Sequence, residues 1–212
     1  VEPADDDMVL WHRLGALVGR VHAVGAETVA KHRITLHPLE STADDLDFLL
    51  DGGFLHAEAE DDLAELADIF MELVTPLFEN IPIIRIHGDC QRTNVLERPE
   101  SGVFLIDFDD MMNGPAIHDL WMLLPERPDE LPEACDALIE GYSTFFPFNH
   151  NSLDLVEPLR AMRMIYYLAW CARQSKDNDF SRNHPEWGTR AFWDRELTDL
   201  ETQVGIIAES LS

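Results

Sequence analysis

The chain has 212 residues, of which 46% are apolar, enough to build a sizeable core and too many for a disordered acidic tail. Its 41 acidic and 15 basic residues leave a net charge of −26, and a surface that negative repels nucleic-acid backbones and anionic lipid. No apolar run is long enough to span a bilayer, and no basic-then-apolar signal stretch precedes the first predicted element.

That first element is a helix. Asp5–Asp7 offer an N-cap, and Leu10, Leu14, Leu17, Val18 and Val21 recur at helical spacing up to Gly25. A loop to about Leu39 follows, then a short helix over 42–51 stopped by Gly52-Gly53. A long helix over 57–78 carries Leu63, Leu66, Ile69, Phe70, Leu73 and Leu77 on one face. Next, β-branched Ile83, Ile84 and Ile86 predict a short strand leading into His87-Gly88-Asp89. Two more strands are expected at 95–96 and 103–106, joined as a hairpin through the turn-rich 97–102. Asn113-Gly114-Pro115 reads as a break, and prolines at 125, 128, 132, 147 and 185 separate helices expected over 116–124, 133–146, 152–174 and 189–210. The expected fold class is α+β, predominantly helical, wrapped around a small central β-hairpin.

The hairpin is where polar chemistry collects. With its turn centred between Glu100 and Ser101, Leu96 faces Leu105, Val95 faces Ile106 and Asn94 faces Asp107. An amide oxygen and a carboxylate then converge where an apolar strand stops, without His or Cys in register. Two hard oxygen donors suit Mg²⁺, which takes few protein ligands and completes its shell with water and phosphate oxygens. Asp89 stands near that pair on the entering loop without ligating.

The stretch Ile86-His87-Gly88-Asp89-Cys90-Gln91-Arg92-Thr93-Asn94, followed by Leu105-Ile106-Asp107-Phe108-Asp109-Asp110, resembles the catalytic plan of kinases. His-Gly-Asp and Asp-Phe-Asp are similar to the aminoglycoside-phosphotransferase family of the kinase-like fold, which includes choline, homoserine and fructosamine kinases. Asn113-Gly114-Pro115-Ala116, Asp119-Leu120-Trp121-Met122-Leu123-Leu124, Glu157 to Arg163, Tyr166 to Trp170, and Leu14-Gly15 to His22 resemble a bacterial Ser/Thr protein-kinase branch of that family. The centre of the catalytic loop departs from the family, with Gln91, Arg92 and Thr93 in place of its small and His residues.

The resemblance implies a protein-kinase-like C-lobe that transfers the γ-phosphoryl of ATP, its co-substrate, to a hydroxyl. Asp89 would be the catalytic base, and Asn94 and Asp107 the Mg²⁺ ligands. The acceptor would be a Ser/Thr side chain of a protein; a small alcohol, aminoglycoside- or choline-like, is the alternative, and a catalytically silent binding module a third reading. The kinase plan also needs a glycine-rich loop and a strand lysine over the phosphates. Neither stands in the helical residues before Asp89, so residues 1–212 are expected to be the C-terminal lobe alone, without the ATP-clamping N-terminal lobe.

Further expectations concern single residues. His87 ties its loop to a backbone carbonyl, Asp119 accepts backbone N–H bonds beneath the loop, and Asp109 and Asp110 are solvated. Trp121 and the Tyr166, Tyr167, Trp170 group line the core or a groove. Cys90, Cys135 and Cys171 lack metal-ligand spacing and fit a reduced, cytoplasmic protein, taken to be a monomer with no nucleic-acid or membrane partner. Of the basic residues only Lys31 and Lys176 are lysines, the other 13 being arginines, which fits either salt adaptation or genomic base composition.

Overall fold

The computed structural model describes residues 7–98 and 102–211, except the side chains of Asn178 and Ser181. In chain order the elements are α1 (Met8–Gly25), α2 (Ala43–Asp51), α3 (Ala57–Val74), β1 (Ile83–Ile86), β2 (Val95–Arg98), β3 (Gly102–Leu105), β4 (Met112–Pro115), α4 (Ile117–Trp121), α5 (Pro132–Ser143), α6 (Val156–Gln174), α7 (Asn178–Asn183) and α8 (Arg190–Ser210). Residues 1–36 with 81–156, and 37–80 with 157–212, form two compact units. The chain is mostly helical with small antiparallel sheets, as expected.

The first unit carries every strand. α1 starts where the Asp7 carboxylate accepts the Leu10 N–H at 2.9 Å, satisfying one of the donors a helix start leaves open; Asp5 and Asp6 lie outside the described residues. Its apolar stripe buries Leu10, Trp11, Leu14 and Val18, and the helix packs on α5. β1 pairs antiparallel with β4, and β2 with β3, as two separate two-stranded sheets. Ile84, Ile86 and Met112 bury together under β1 and β4.

Asn113-Gly114-Pro115 belongs to β4 rather than to a break. Proline is tolerated because it pairs at the last rung, opposite Ile83. The Asn113 side chain ties down the 26–36 loop, accepting from the Ala30 N–H at 2.8 Å and donating to the Ala30 carbonyl at 3.0 Å. Leu36 and Ile34 add two backbone hydrogen bonds to Asn113.

The hairpin register also differs from expectation. Val95 pairs with Leu105, Leu96 with Phe104 and Arg98 with Gly102, one residue short of the predicted partners. The predicted turn centre falls outside the described residues. Arg98 and Gly102 are the last described pair, and Gly102 takes φ +95°, a left-handed conformation that glycine adopts without a side-chain clash.

The second unit is helical. A π-helical turn at Pro38–Thr42 precedes α2, and a 3₁₀ turn at Thr75–Phe78 extends α3, so both predicted spans end in tighter or wider turns than a uniform helix. α3 packs on α8. Arg173 reaches Asp45 at 2.6 Å, Gln203 donates to Glu157 at 2.6 Å, and Trp193 Nε1 donates to the Phe54 carbonyl at 3.0 Å. Tyr167 and Trp170 are partly exposed on α6 while Phe192 and Trp193 are buried. α7 is an element the sequence reading did not contain. No helix of the described residues is long and apolar enough to cross a membrane.

Candidate active site

β1 runs into a loop whose backbone is held from below by one carboxylate. The Asp119 side chain, fully buried on α4, accepts the His87 N–H at 2.7 Å on Oδ2 and the Gly88 N–H at 2.9 Å on Oδ1. Oδ2 also meets His22 Nε2 of α1 at 2.8 Å. Burial by itself would raise this carboxyl; the hydrogen bond from His22, with help from His118 and the His87 N–H, outweighs it and holds the group below the ordinary carboxylate value. Asp119 is thus an ionised anchor for the loop, as expected from its place beside the motif.

Gly88 sits at φ +86°, and a Cβ there would collide with the Asp110 carbonyl oxygen. Only glycine lets the chain turn that close. Its own carbonyl meets His118 Nε2 at 3.2 Å.

The His87 ring fixes the upper side of the loop. Nδ1 accepts the Asp89 N–H at 3.3 Å, so Nε2 carries the proton and donates to the Ile106 carbonyl at 2.8 Å. Phe108 packs edge-on against that ring with centroids 4.6 Å apart. One imidazole therefore joins the Asp89 loop to the residue before Asp107, through the carbonyl contact foreseen for it.

Asp89 and Asn94 meet directly. The Asn94 amide nitrogen donates to the Asp89 carbonyl at 2.8 Å and to its Oδ2 at 3.0 Å, and Gln91 Nε2 donates to the same Oδ2 at 2.9 Å. The carboxylate is held by two amides and stays partly exposed, while Asn94 is buried. With its nitrogen committed to Asp89, the Asn94 amide turns its oxygen the other way, which is the atom a hard cation takes.

Asp107 does not face Asn94. The Ile106 N–H donates to the Asn94 carbonyl at 3.0 Å, so the residue across the hairpin from Asn94 is Ile106. A slip of one residue moves a strand's side chains to the other face, and in an extended strand Asp107 would point away. It is not extended: φ is +65°, the left-handed region, costly for any residue with a Cβ and tolerated best by Asp and Asn. This local kink, and not the ladder, aims the exposed Asp107 side chain. Asp109 and Asp110 are exposed, and the Asp109 carbonyl accepts from Arg33 Nη1 at 2.6 Å.

Among the described residues no group of three or more His, Cys, Asp or Glu side chains gathers to hold a metal ion. The oxygens of Asn94 and Asp107 are hard donors, fewer than a protein-only cage needs and compatible with Mg²⁺ that keeps water and phosphate in its shell. Cys90 beside Asp89 is fully buried; burial, then the charges of Asp119 and Asp89, push its thiol well up, so it stays protonated and inert.

The sequence reading left out the side chains behind Asp119, His22 in direct contact with it and Tyr142 in contact with His22. His22 and Tyr142 lie 97 and 23 residues from Asp119 in the chain; the only signal was a lone His at the end of an apolar helix stripe.

A short strand, a loop pinned on a helix carboxylate, an asparagine five residues after an aspartate, and a hairpin ending in a second aspartate together match the layout of a kinase-like fold. Residues 2–156 match the family model, and the chain belongs to the phosphotransferase enzyme family. It is similar to stress response kinase A of Escherichia coli K12, with 32% identity over 205 residues covering 96% of this chain and 62% of the relative. Serine/threonine protein kinase RdoA of Salmonella typhimurium LT2 is 31% identical over the same shares. The narrower resemblance drawn from the motifs thus holds, and the chain spans about 62% of the length of the curated relatives it matches. Among solved structures, an amicoumacin kinase in complex with AMP-PNP, Ca²⁺ and Ami aligns at TM-score 0.65 and 17% identity, covering 96% of this chain and 61% of that one. A putative fructosamine-3-kinase from Thermobifida fusca aligns at TM-score 0.53 and 19% identity, covering 96% and 66%. At such identities these likenesses concern the fold alone.

Proposed function

We propose that the chain carries the acceptor- and metal-binding lobe of an ATP-dependent kinase, with Asp89 as the base and Asn94 and Asp107 as Mg²⁺ ligands. The observation that carries this reading is the Asp89–Asn94 contact at 3.0 Å on a loop clamped by Asp119 below and His87 above. Phosphoryl transfer asks a protein mainly to position reactants and neutralise developing charge. Gln91 and Asn94 hold the Asp89 carboxylate in one orientation, ready to accept the proton of an incoming hydroxyl. His87 couples that orientation to the backbone entering Asp107. Bound Mg²⁺ supplies positive charge to the phosphate oxygens.

The register supports a nucleotide on the same side. Leu96, Phe104 and Ile106 share the hairpin face of Asn94, and each is at least 40% exposed, an apolar platform suited to a purine. We place the glycine-rich loop and the phosphate-binding lysine in a nucleotide-clamping lobe outside this chain. The acceptor we propose is a Ser/Thr hydroxyl of a protein, because a relative at 31% identity is named a serine/threonine protein kinase. A small hydroxyl acceptor is the second reading, favoured by fold neighbours such as the amicoumacin and aminopropanol kinases. The protein is taken to act as a cytoplasmic monomer. Transfer from [γ-³²P]ATP to casein-like proteins, against aminoglycosides and choline, by the full-length protein with Mg²⁺ decides between the two acceptors. Label on neither class, or transfer unchanged in Asp107→Asn, refutes the assignment.

A further inference from the structure

The hydrogen bonds beneath the Asp89 loop do not stop at Asp119. His22 sits between Asp119 and Tyr142: Nε2 lies 2.8 Å from the carboxylate and Nδ1 lies 3.0 Å from the phenol oxygen. All three side chains are fully buried. Nothing in the functional reading so far uses Tyr142, which lies on α5, 120 residues from His22 in the chain.

Its placement is built by close packing of backbones. A Cβ on Gly19 of α1 would come within 2.5 Å of the Tyr142 carbonyl oxygen and 3.2 Å of its Cα. A Cβ on Gly15 would collide with the Leu138 carbonyl, and one on Gly141 with the His12 carbonyl. The spacing Gly15, Gly19, His22 therefore puts two bare backbone patches and one imidazole along the side of α1 that meets α5. Because α5 can approach that closely, the phenol reaches the ring.

We propose that Tyr142 is a positioning residue for the Asp89 loop: its hydroxyl donates to Nδ1 of His22, which fixes the imidazole with its proton on Nε2, where Asp119 accepts it. An ionised carboxylate only accepts, so the His22 atom facing Asp119 must carry a hydrogen. A neutral imidazole then leaves Nδ1 bare, and a donor such as the phenol satisfies it and holds the ring in place. Burial raises the phenol of Tyr142, as does the nearby Asp119 charge, so the hydroxyl keeps its proton and remains a donor. With the imidazole hydrogen fixed on Nε2, Asp119 keeps the orientation in which Oδ1 and Oδ2 hold Gly88 and His87. Losing the hydroxyl leaves Nδ1 buried without a donor, and the ring is free to tilt about its one remaining hydrogen bond to Asp119, which loosens the carboxylate under the loop.

Two measurements on the full chain test this. In ¹⁵N-labelled protein at neutral pH, His22 is expected to show a protonated Nε2 and a bare Nδ1, and the Nδ1 resonance to move downfield in Tyr142→Phe as its hydrogen bond is lost. A wild-type His22 with its proton on Nδ1 overturns the proposal without any variant. The second arm rests on the phosphotransferase reading. Tyr142→Phe is expected to lower kcat roughly three- to tenfold with KM for ATP unchanged, and Gly19→Ala, which pushes Tyr142 off, to do the same. His22→Gln supplies an amide donor to Asp119 that needs no phenol, so Tyr142→Phe is expected to be silent in that background. Full additivity of the two changes would instead mean that Tyr142 only packs, and would overturn the proposal. If the wild-type protein transfers phosphate to no acceptor, the functional reading fails, and the His22 tautomer still decides the role of Tyr142.

Discussion

Asp119 and Asp107 lie 12 residues apart and live in opposite surroundings. Asp119 is fully buried, accepts from three N–H groups and is held ionised by them. Asp107 is exposed, and the backbone beneath it is strained. Burial with both oxygens engaged makes a carboxylate a structural fixture. Exposure on a conformation that side chains rarely adopt is a cost that folding alone does not explain, and such sites gather where a ligand is handled. The same side-chain chemistry is split by environment into a floor and a rim.

The contrast has a sharpest test at the rim. On the proposed function, Asp107→Asn in the full-length protein is expected to cut phosphoryl transfer by about 100-fold or more while leaving the melting temperature near wild type. Asp107→Gly is expected to abolish transfer as well and yet raise stability by roughly 0.5–1 kcal/mol, since glycine accepts a φ of +65° without a Cβ clash. Chemical denaturation of the two variants reads this; a loss of stability in Asp107→Gly would remove the strain argument.

At the floor the sign reverses. Asp119→Asn puts an amide where three donors converge, and urea unfolding is expected to show a loss of about 3–5 kcal/mol. Gly88→Ala attacks the same loop by strain and by collision with the Asp110 carbonyl, at a cost of about 2 kcal/mol or more.

Acid titration separates two buried or nearly buried carboxylates. Asp119 is depressed in the folded state, so the unfolded chain binds more protons there, and its stabilisation is complete above the ordinary Asp value of 3.8 and fades as pH falls below it. Asp45 is raised, chiefly by burial against the pull of Arg173, and its contribution runs the other way, weakening as pH climbs from 3.8 upward. The gap in unfolding free energy between wild type and Asp119→Asn should therefore narrow below pH ~3.8, while Asp45→Asn should lose the opposite slope. The smallest effect belongs to the exposed ion pair of Arg13 and Glu97 at 3.0 Å: Arg13→Ala is expected to change stability by about 0.5 kcal/mol or less.

The hairpin shows where sequence reading stops. Its two strands were legible from β-branched and apolar runs, and their limits agree within two residues. Register depends on the loop between them, and a turn taken as even in length is off by one residue when the strands leave an odd interval. β4 was missed because Asn-Gly-Pro carries turn chemistry in isolation; it is extended here because β1 on one side and the Ile34–Leu36 segment on the other satisfy its backbone. The 42–51 and 57–78 helices were legible, since periodicity is local, while their π and 3₁₀ ends were not. Asp89, Asn94 and Asp107 could be singled out because their spacing lies within one short stretch.

By itself the sequence determined the helical stripes, the acidic surface, the loop aspartate with an asparagine five residues on, and the likeness to a phosphotransferase family. These are properties of neighbouring residues, set by periods of two and 3.6 and by side-chain chemistry. Tertiary structure alone decided that Ile106 and not Asp107 lies across from Asn94, that a left-handed kink aims Asp107, and that His22 and Tyr142 stand behind Asp119. The first and the last rest on hydrogen bonds between segments apart in the chain, where no local pattern fixes the partner, and the kink is read only from the folded backbone.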